Sequence, residues 1–319
     1  MTDHAGLVSI IIPIRNEAAF IEATITSILD QDYPDTLEVV IADGMSTDGT
    51  RAILDRICQE HSNVHYVDNP TGRTPNGLNI AIEASNGEIV VRCDGHAELP
   101  PEYVSTAVTV IRETGAVNVG GIQHAVGITP MQRAIAYAMT SRLGVGDAKF
   151  HYGGEPGEVD TVFLGVFRRD ALVAAGLFDE SLTRNQDYEL NIRLRANGGI
   201  VWFDPRLSVV YRPRRTLRAL WRQYFEYGTW KRRVIKMHPE STRVRQLIPP
   251  LFLIGLLISV VLAFTPLRWL GMIVPGLYLT LLGGTTVVQL IKQRDIAALL
   301  FPAAVGTMHV SWGAGFLSG

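Results

Sequence analysis

From residue 7 to about residue 120 the chain repeats one pattern. A short apolar run breaks into a polar, glycine-containing segment, and a stretch with helical spacing follows. The apolar runs fall at 7–12, 37–42, 64–67, 88–93 and 116–120, and the helical stretches near 17–30, 48–60, 75–85 and 101–113. Short apolar runs bounded by turn residues read as buried strands. Strands alternating with helices predict a doubly wound, mostly parallel α/β sheet. In such sheets ligands bind beyond the carboxyl ends of the strands.

The pattern changes at residue 247. Residues 247–264 and 269–291 carry no charge, and 296–317 hold His309 as their one ionisable side chain. Each run is about long enough to cross ~30 Å of hydrocarbon as a helix, and interior proline and glycine do not forbid that. Just upstream, 215–236 places Leu217, Leu220, Trp221, Tyr224, Phe225, Gly228 and Val234 at helical spacing with Arg and Lys between them. That reads as an amphipathic helix on a membrane surface; the plainer alternative is a helix that packs against a domain. The expected organisation is an α/β domain over 1–211, a basic juxtamembrane segment over 212–246 and three transmembrane helices over 247–319.

Charge sharpens this. The chain has 29 basic and 31 acidic residues, yet eleven Lys/Arg lie between Arg212 and Arg245, opposed by Glu226 and Glu240 alone. A basic block fits nucleic acid, an anionic membrane or an anionic substrate. Its place beside an apolar tail, with no recognition module, favours membrane lipids over nucleic acid. With 1–246 in the cytoplasm, this block and Lys292/Arg294 all fall inside, as the positive-inside rule asks, and the C-terminus falls outside. Two cysteines, Cys58 and Cys93, form neither a disulfide framework nor a metal spacing. The first residues lack the basic start of a secretory signal.

The strand ends carry the candidate chemistry: Pro13-Ile14-Arg15-Asn16-Glu17, then Asp43-Gly44-Met45-Ser46-Thr47-Asp48-Gly49, then Asn69 to Arg73 with Asn76 and Asn79, then Arg92-Cys93-Asp94-Gly95-His96. Each alone is a plausible turn or helix cap; four at one sheet edge suggest a site. No phosphate-loop or dinucleotide glycine fingerprint is present. In an extended segment Asp94 and His96 point to the same side. A carboxylate and an imidazole there suit a divalent cation that bridges a diphosphate. The other reading of His96 is a hydrogen-bonding group beside the phosphates.

Together these residues resemble the inverting glycosyltransferases of family 2, with their Rossmann-like GT-A fold. "VSIIIPIRNE" is similar to the family's first strand, "VVIADGMSTDGT" to its second strand and turn, "CDGH" to its D-x-D metal motif, and "GLFDESLTRNQDYELNIRLRANGG" to the segment bearing the catalytic carboxylate. The tail, with "HVSWGAGF", resembles membrane-bound members of the succinoglycan or exopolysaccharide type. The resemblance implies that Pro13, Arg15 and Glu17 border the uracil and ribose, that Asp43 contacts the base with Ser46 nearby, and that Arg73 faces the nucleotide. It implies Asp94 as the main acid of the metal motif, His96 in place of the second acid, and Mn2+ or Mg2+ as cofactor. It implies Asp187 as general base, taking the proton from an acceptor hydroxyl, with Glu189 two positions on as the rival. "WRQYFEYGTWKRR" departs from the Q-x-x-R-W pattern of processive relatives, which favours single-sugar transfer. Arg222 is a candidate for diphosphate or for lipid headgroups.

The expected enzyme is therefore a multi-pass protein of the cell membrane with a cytoplasmic catalytic domain. It moves a sugar from a nucleotide donor, of the UDP-sugar class, to a hydroxyl on a polyprenyl-linked glycan. Two alternatives stay open: a polyprenyl-phosphate glycosyl synthase, and a catalytically silent scaffold of a polysaccharide-export assembly. Oligomeric state is not legible in the sequence.

Overall fold

The computed structural model describes residues 6–319; the leader reading of the first residues concerns 1–5, outside the described residues. The described chain forms two compact units, one over 6–124 and 153–210, the other over 125–152 and 211–319.

The first unit is built on strands β1 (Val8–Ile14), β2 (Leu37–Asp43), β3 (Val64–Asp68), β4 (Ile89–Arg92), β5 (Asn118–Ala125), β6 (Gly157–Glu158), β7 (Phe163–Arg168) and β8 (Val201–Tyr211). Their order in one sheet is β3-β2-β1-β4-β7-β5-β8-β6. Helices α1 (Ile21–Leu29), α2 (Thr50–Glu60), α3 (Thr74–Glu83) and α4 (Tyr103–Thr114) connect the early strands. β1 pairs in parallel with β2 and β4, and β2 with β3. The pattern of buried apolar residues explains why these strands read as unbroken apolar runs. Ile10 and Ile12 join a core with α1, α2 and α4, whereas Ile11 joins a second core with Leu78, Ala81 and Ile82 of α3. Alternate side chains thus enter opposite faces and both faces are covered.

Beyond β4 the sheet turns antiparallel: β4 pairs with β7, β7 with β5, and β8 with β6. The early alternation of strand and helix did not announce β6, β7 or β8, because that part of the sheet is not built from crossover units.

Helices α5 (Pro130–Met139), α6 (Arg142–Val145) and α7 (Lys149–Tyr152) belong to the second unit, and α8 (Arg169–Ala174) and α9 (Gln186–Ala196) to the first. Leu190 and Leu194 anchor α9 in the second core. The second unit continues with α10 (Leu217–Met237), α11 (Val244–Ala263), α12 (Arg268–Gly271), α13 (Ile273–Gln293) and α14 (Phe301–Ser318). Three helical stretches, 244–263, 268–293 and 296–318, are long and apolar enough to cross a membrane. His309 is held within this unit, its Nε2 2.8 Å from the Leu143 carbonyl and its Nδ1 3.1 Å from the Tyr278 hydroxyl. The Leu143 carbonyl can only accept, so Nε2 is the protonated, donating nitrogen of that pair.

Candidate active site

The ends of β1 and β2 are tied together by short polar side chains. Asn16, at φ +58°, donates its backbone N–H to Ser46 Oγ at 2.8 Å, and its Oδ1 accepts from the Thr47 N–H at 2.8 Å. Glu17 N–H donates to Thr50 Oγ1 and Ala18 N–H to Asp48 Oδ2. Ser46, read from the sequence as a neighbour of the nucleotide, serves here as the acceptor that orders the loop carrying Arg15 and Glu17.

Asp43, at the last position of β2, is fully buried. Its Oδ2 accepts from Arg51 Nε at 2.6 Å and from the Ser46 N–H at 3.1 Å. Its Oδ1 is a buried acceptor with no hydrogen-bond partner among the described residues. Arg51, on α2, also pairs with Asp68 at the end of β3, so one guanidinium draws two strand ends together. The Arg15 side chain lies over Gly72, whose φ of +62° and crowding against the guanidinium both suit glycine. Pro13 packs toward Gly77 of α3.

Residues 73–79 hold the chain that leads into α9. Asn79 Nδ2 donates to the Phe178 carbonyl at 2.9 Å and to Glu180 Oε1 at 3.0 Å, and its Oδ1 accepts from the Phe178 N–H. Asn76 also donates to Glu180. Arg73, expected to face the nucleotide, donates to Thr183 Oγ1 at 3.2 Å. These bonds fix the loop that ends at Asn185, whose left-handed conformation (φ +61°) starts α9. Asp187 follows in the first turn.

Asp187 meets the end of β4 through Arg92. This arginine closes β4 with its side chain 8% exposed; it donates to Asp187 and, at 3.0 Å, to Asp94 Oδ1. Burial works against its charge, but Asp187 and Asp94 more than offset that and raise its pKa. The sequence reading did not single out Arg92 as a candidate site residue. The available signal was a charged residue at the inner end of an apolar strand, which requires a partner when buried.

The geometry after β4 corrects one expectation. Asp94 and His96 were placed on the same side of an extended segment. The chain instead turns, with the Ala97 N–H donating to the Asp94 carbonyl at 2.9 Å. Asp94 faces Arg92, and His96 Nδ1 lies 3.2 Å from Glu17 Oε1. A Cβ on Gly95 would stand 2.6 Å from Ile14 Cγ2 and 3.1 Å from Glu17 Cγ, so the glycine makes room for the end of β1.

Glu189 is 2% exposed at its side chain and forms two 2.7 Å bonds with Arg193 one turn on. Asp187 is 38% exposed, so solvent reaches it where it does not reach Glu189. Arg222 lies in the second unit on α10, 84% exposed and paired with Glu226 at 3.1 Å.

No group of three His, Cys, Asp or Glu that could hold a metal ion occurs among the described residues. The residues fit a cation shared with a ligand better than one held by protein alone: Asp94 has one oxygen on Arg92 and keeps 31% exposure.

The model of the family described as Glycosyl transferase family 2 matches residues 9–174, more than half of the chain. The chain belongs to glycosyltransferase family 2. This family 2 transferase is 33% identical over 309 residues to the succinoglycan biosynthesis protein ExoA of Rhizobium meliloti, covering 96% of this chain and 93% of that one. It is 25% identical to a dolichyl N-acetyl-α-D-glucosaminyl phosphate 3-β-D-2,3-diacetamido-2,3-dideoxy-β-D-glucuronosyltransferase of Methanococcus voltae, over 98% of this chain and 97% of that one. Among solved structures, the mannosyltransferase PcManGT of Pyrobaculum calidifontis, in complex with GDP-Man and Mn2+, superposes with a TM-score of 0.66 at 19% identity, over 99% of this chain and 88% of that one. The fold of this family 2 enzyme is thus the α/β GT-A type, with C-terminal helices long and apolar enough to span a membrane.

Proposed function

We propose that this enzyme is a membrane-anchored inverting glycosyltransferase of exopolysaccharide or cell-envelope glycan synthesis. It moves a sugar from a nucleotide-sugar donor of the UDP class to a hydroxyl of a polyprenyl-linked glycan, with its catalytic unit in the cytoplasm. The observation that carries the reading is the joining of Asp94 and Asp187 by one buried guanidinium. The names of its relatives add the biosynthetic setting and a lipid-linked acceptor.

In this reading Asp43 offers its unpartnered Oδ1 to the donor's base, beside Arg15 and Glu17. Asp187 accepts the acceptor hydroxyl's proton while that oxygen bonds to the anomeric carbon. The bond from that carbon to the diphosphate breaks on the opposite side, and the nucleoside diphosphate departs with the electron pair. Asp94 would hold a divalent cation, which when bound supplies positive charge against the departing diphosphate. Arg92 fixes both carboxylates relative to each other, so base and leaving group keep their alignment. In this reading Glu189, paired with Arg193, is left to hold the helix and Asp187 is taken as the base. The segments 212–246 and 247–319 provide the anchor.

The test is turnover of a nucleotide-sugar panel by the full chain in detergent, with and without Mn2+ or Mg2+ and with a membrane lipid extract as acceptor. Nucleoside diphosphate release with one donor, lost in Asp187→Asn, is the expected result. A folded preparation that binds no nucleotide sugar would leave the scaffold reading standing.

A further inference from the structure

Three helical stretches have the length and apolarity of a membrane span, but they do not use their apolar surface alike. α11 exposes nine large apolar side chains and α13 seven, Leu251, Val261, Leu279 and Ile291 among them. The third stretch, 296–318, exposes Ile296, Leu299 and Leu300 ahead of α14, and α14 itself exposes Leu317 alone among the described residues. Phe301, Val305 and Met308 of α14 are buried by the protein, and Val310, Trp312 and Phe316 are partly buried. Phe301, Val305 and Met308 share a core with Ile135, Met139 and Leu220 of α5 and α10.

α11 and α13 form an antiparallel pair. The Phe252 and Tyr278 rings lie 4.3 Å apart, a Cβ on Gly255 would stand 3.5 Å from Val274, and Gly271 lies beside Leu262. Position advances on one helix as it retreats on the other. α14 and α10 behave differently. Gly315 lies against Phe225, and Gly319 against Thr229, so the two helices run parallel at a fixed offset. Thr229 Oγ1 donates to the Gly315 carbonyl at 3.1 Å. Arg232 donates to the carbonyls of Phe316 at 3.1 Å and Leu317 at 2.8 Å, satisfying groups that a helix end leaves open.

A parallel partner shares its neighbour's depth. If α14 crossed the bilayer, α10 would enter with it, carrying Arg218, Arg222 and Glu226 into hydrocarbon. Arg222, 84% exposed, would then face lipid chains, where a charged side chain is strongly disfavoured. The arginines among them are well placed at an anionic surface.

We infer that only the α11–α13 hairpin crosses the membrane, and that α10 and α14 lie together as a slab on its cytoplasmic surface, against anionic lipid headgroups, leaving the C-terminus on the same side as the catalytic unit. Charge agrees. Arg243 and Arg245 lead into α11, and Lys292 and Arg294 close α13, all at the hairpin's base; residues 264–271 at its tip hold Arg268 alone. The inference revises the expected third crossing and does not depend on the catalytic assignments.

The experiment is labelling of single introduced cysteines in the full chain by a membrane-impermeant maleimide. The variants are Pro266→Cys or, if that one does not accumulate, Arg268→Cys at the hairpin tip, and Ser318→Cys at the end of α14. Cys58 and Cys93 remain as internal controls. In intact spheroplasts the tip cysteine should react and the Ser318→Cys cysteine should not; permeabilisation should expose the latter. Reaction of Ser318→Cys from outside would establish a third crossing and overturn the inference. Silence at the tip until permeabilisation would overturn it too, since the hairpin would then not cross.

Discussion

The guanidinium of Arg92 donates to the carboxylate of Asp187, 95 residues further along the chain. It joins the end of a parallel strand to the first turn of a helix that comes from the antiparallel half of the molecule. Arg92→Lys keeps the charge but loses the planar fork that serves two carboxylates at once. If the arginine positions Asp187, kcat should fall roughly 10²-fold, the order expected when a reacting group shifts by about an ångström. The KM for donor should change much less, and the melting temperature should stay near that of the parent. A loss confined to donor KM would show that Arg92 acts on Asp94 alone.

Asp187 and Glu189 separate by the measurement each one moves. Asp187→Asn removes the proposed base with little packing change, so turnover should drop by about 10²–10⁴-fold while nucleotide binding persists. Glu189→Gln leaves Arg193 without its charged partner beside a buried site, a change that costs about 3–5 kcal/mol for fully buried pairs. Arg193 is 23% exposed, so the lower end applies. The expected outcome is a lower melting temperature with near-normal kcat per folded molecule. Turnover that survives Asp187→Asn would redirect attention to an acceptor that arrives already ionised, such as a polyprenyl phosphate.

Much of this site was legible before the fold was known, and the remainder was not for a physical reason. Asp43, Asp94 and Asp187 each follow a recognisable strand or helix signal in the sequence. Arg92 and Arg51 read locally as an ordinary strand residue and an ordinary helix residue. Their roles come from partners brought close only by folding, on β3 for Arg51 and on α9 for Arg92. Asn79 likewise reads as a helix-face residue until its bonds to Phe178 and Glu180 are seen. The parallel half of the sheet was legible from its two-faced apolar strands, whereas β7 and β8 lacked the crossover pattern. The apolar content of α14 gave no way to separate burial against protein from burial in lipid.

Glu38 supplies a pH test of the catalytic unit. Burial pushes its pKa up, but hydrogen bonds from Ser9 Oγ at 2.6 Å and from the N–H and side chain of Asn86 outweigh that and bring it below the ordinary 4.5. The unfolded chain then binds more protons than the folded one between the two values. The associated stability is present above about pH 4.5 and is lost as pH falls through the lowered folded value. Melting temperature followed from pH 6 downward should therefore fall less steeply in Glu38→Gln than in the parent. Parallel curves would mean that Glu38 has the same affinity for protons in both states.

The arrangement after β4 makes a specific statement about metal. Asp94 has Arg92 as partner, His96 has Glu17, and no three-donor group is present among the described residues. Protein alone should therefore hold Mn2+ weakly. A nucleoside diphosphate adds phosphate oxygens, which hard divalent cations prefer, and should create the site. Loss of the free Mn2+ electron paramagnetic resonance signal ought to require UDP or another nucleoside diphosphate together with protein. Asp94→Ala should abolish that uptake, because it removes the carboxylate nearest the proposed diphosphate. His96→Asn should weaken it only a few-fold, since the imidazole's observed contact is with Glu17. Tight uptake of one Mn2+ by protein without nucleotide would contradict this account. It would require Glu17, Asp94 and His96 to converge on an ion in an arrangement other than the one described.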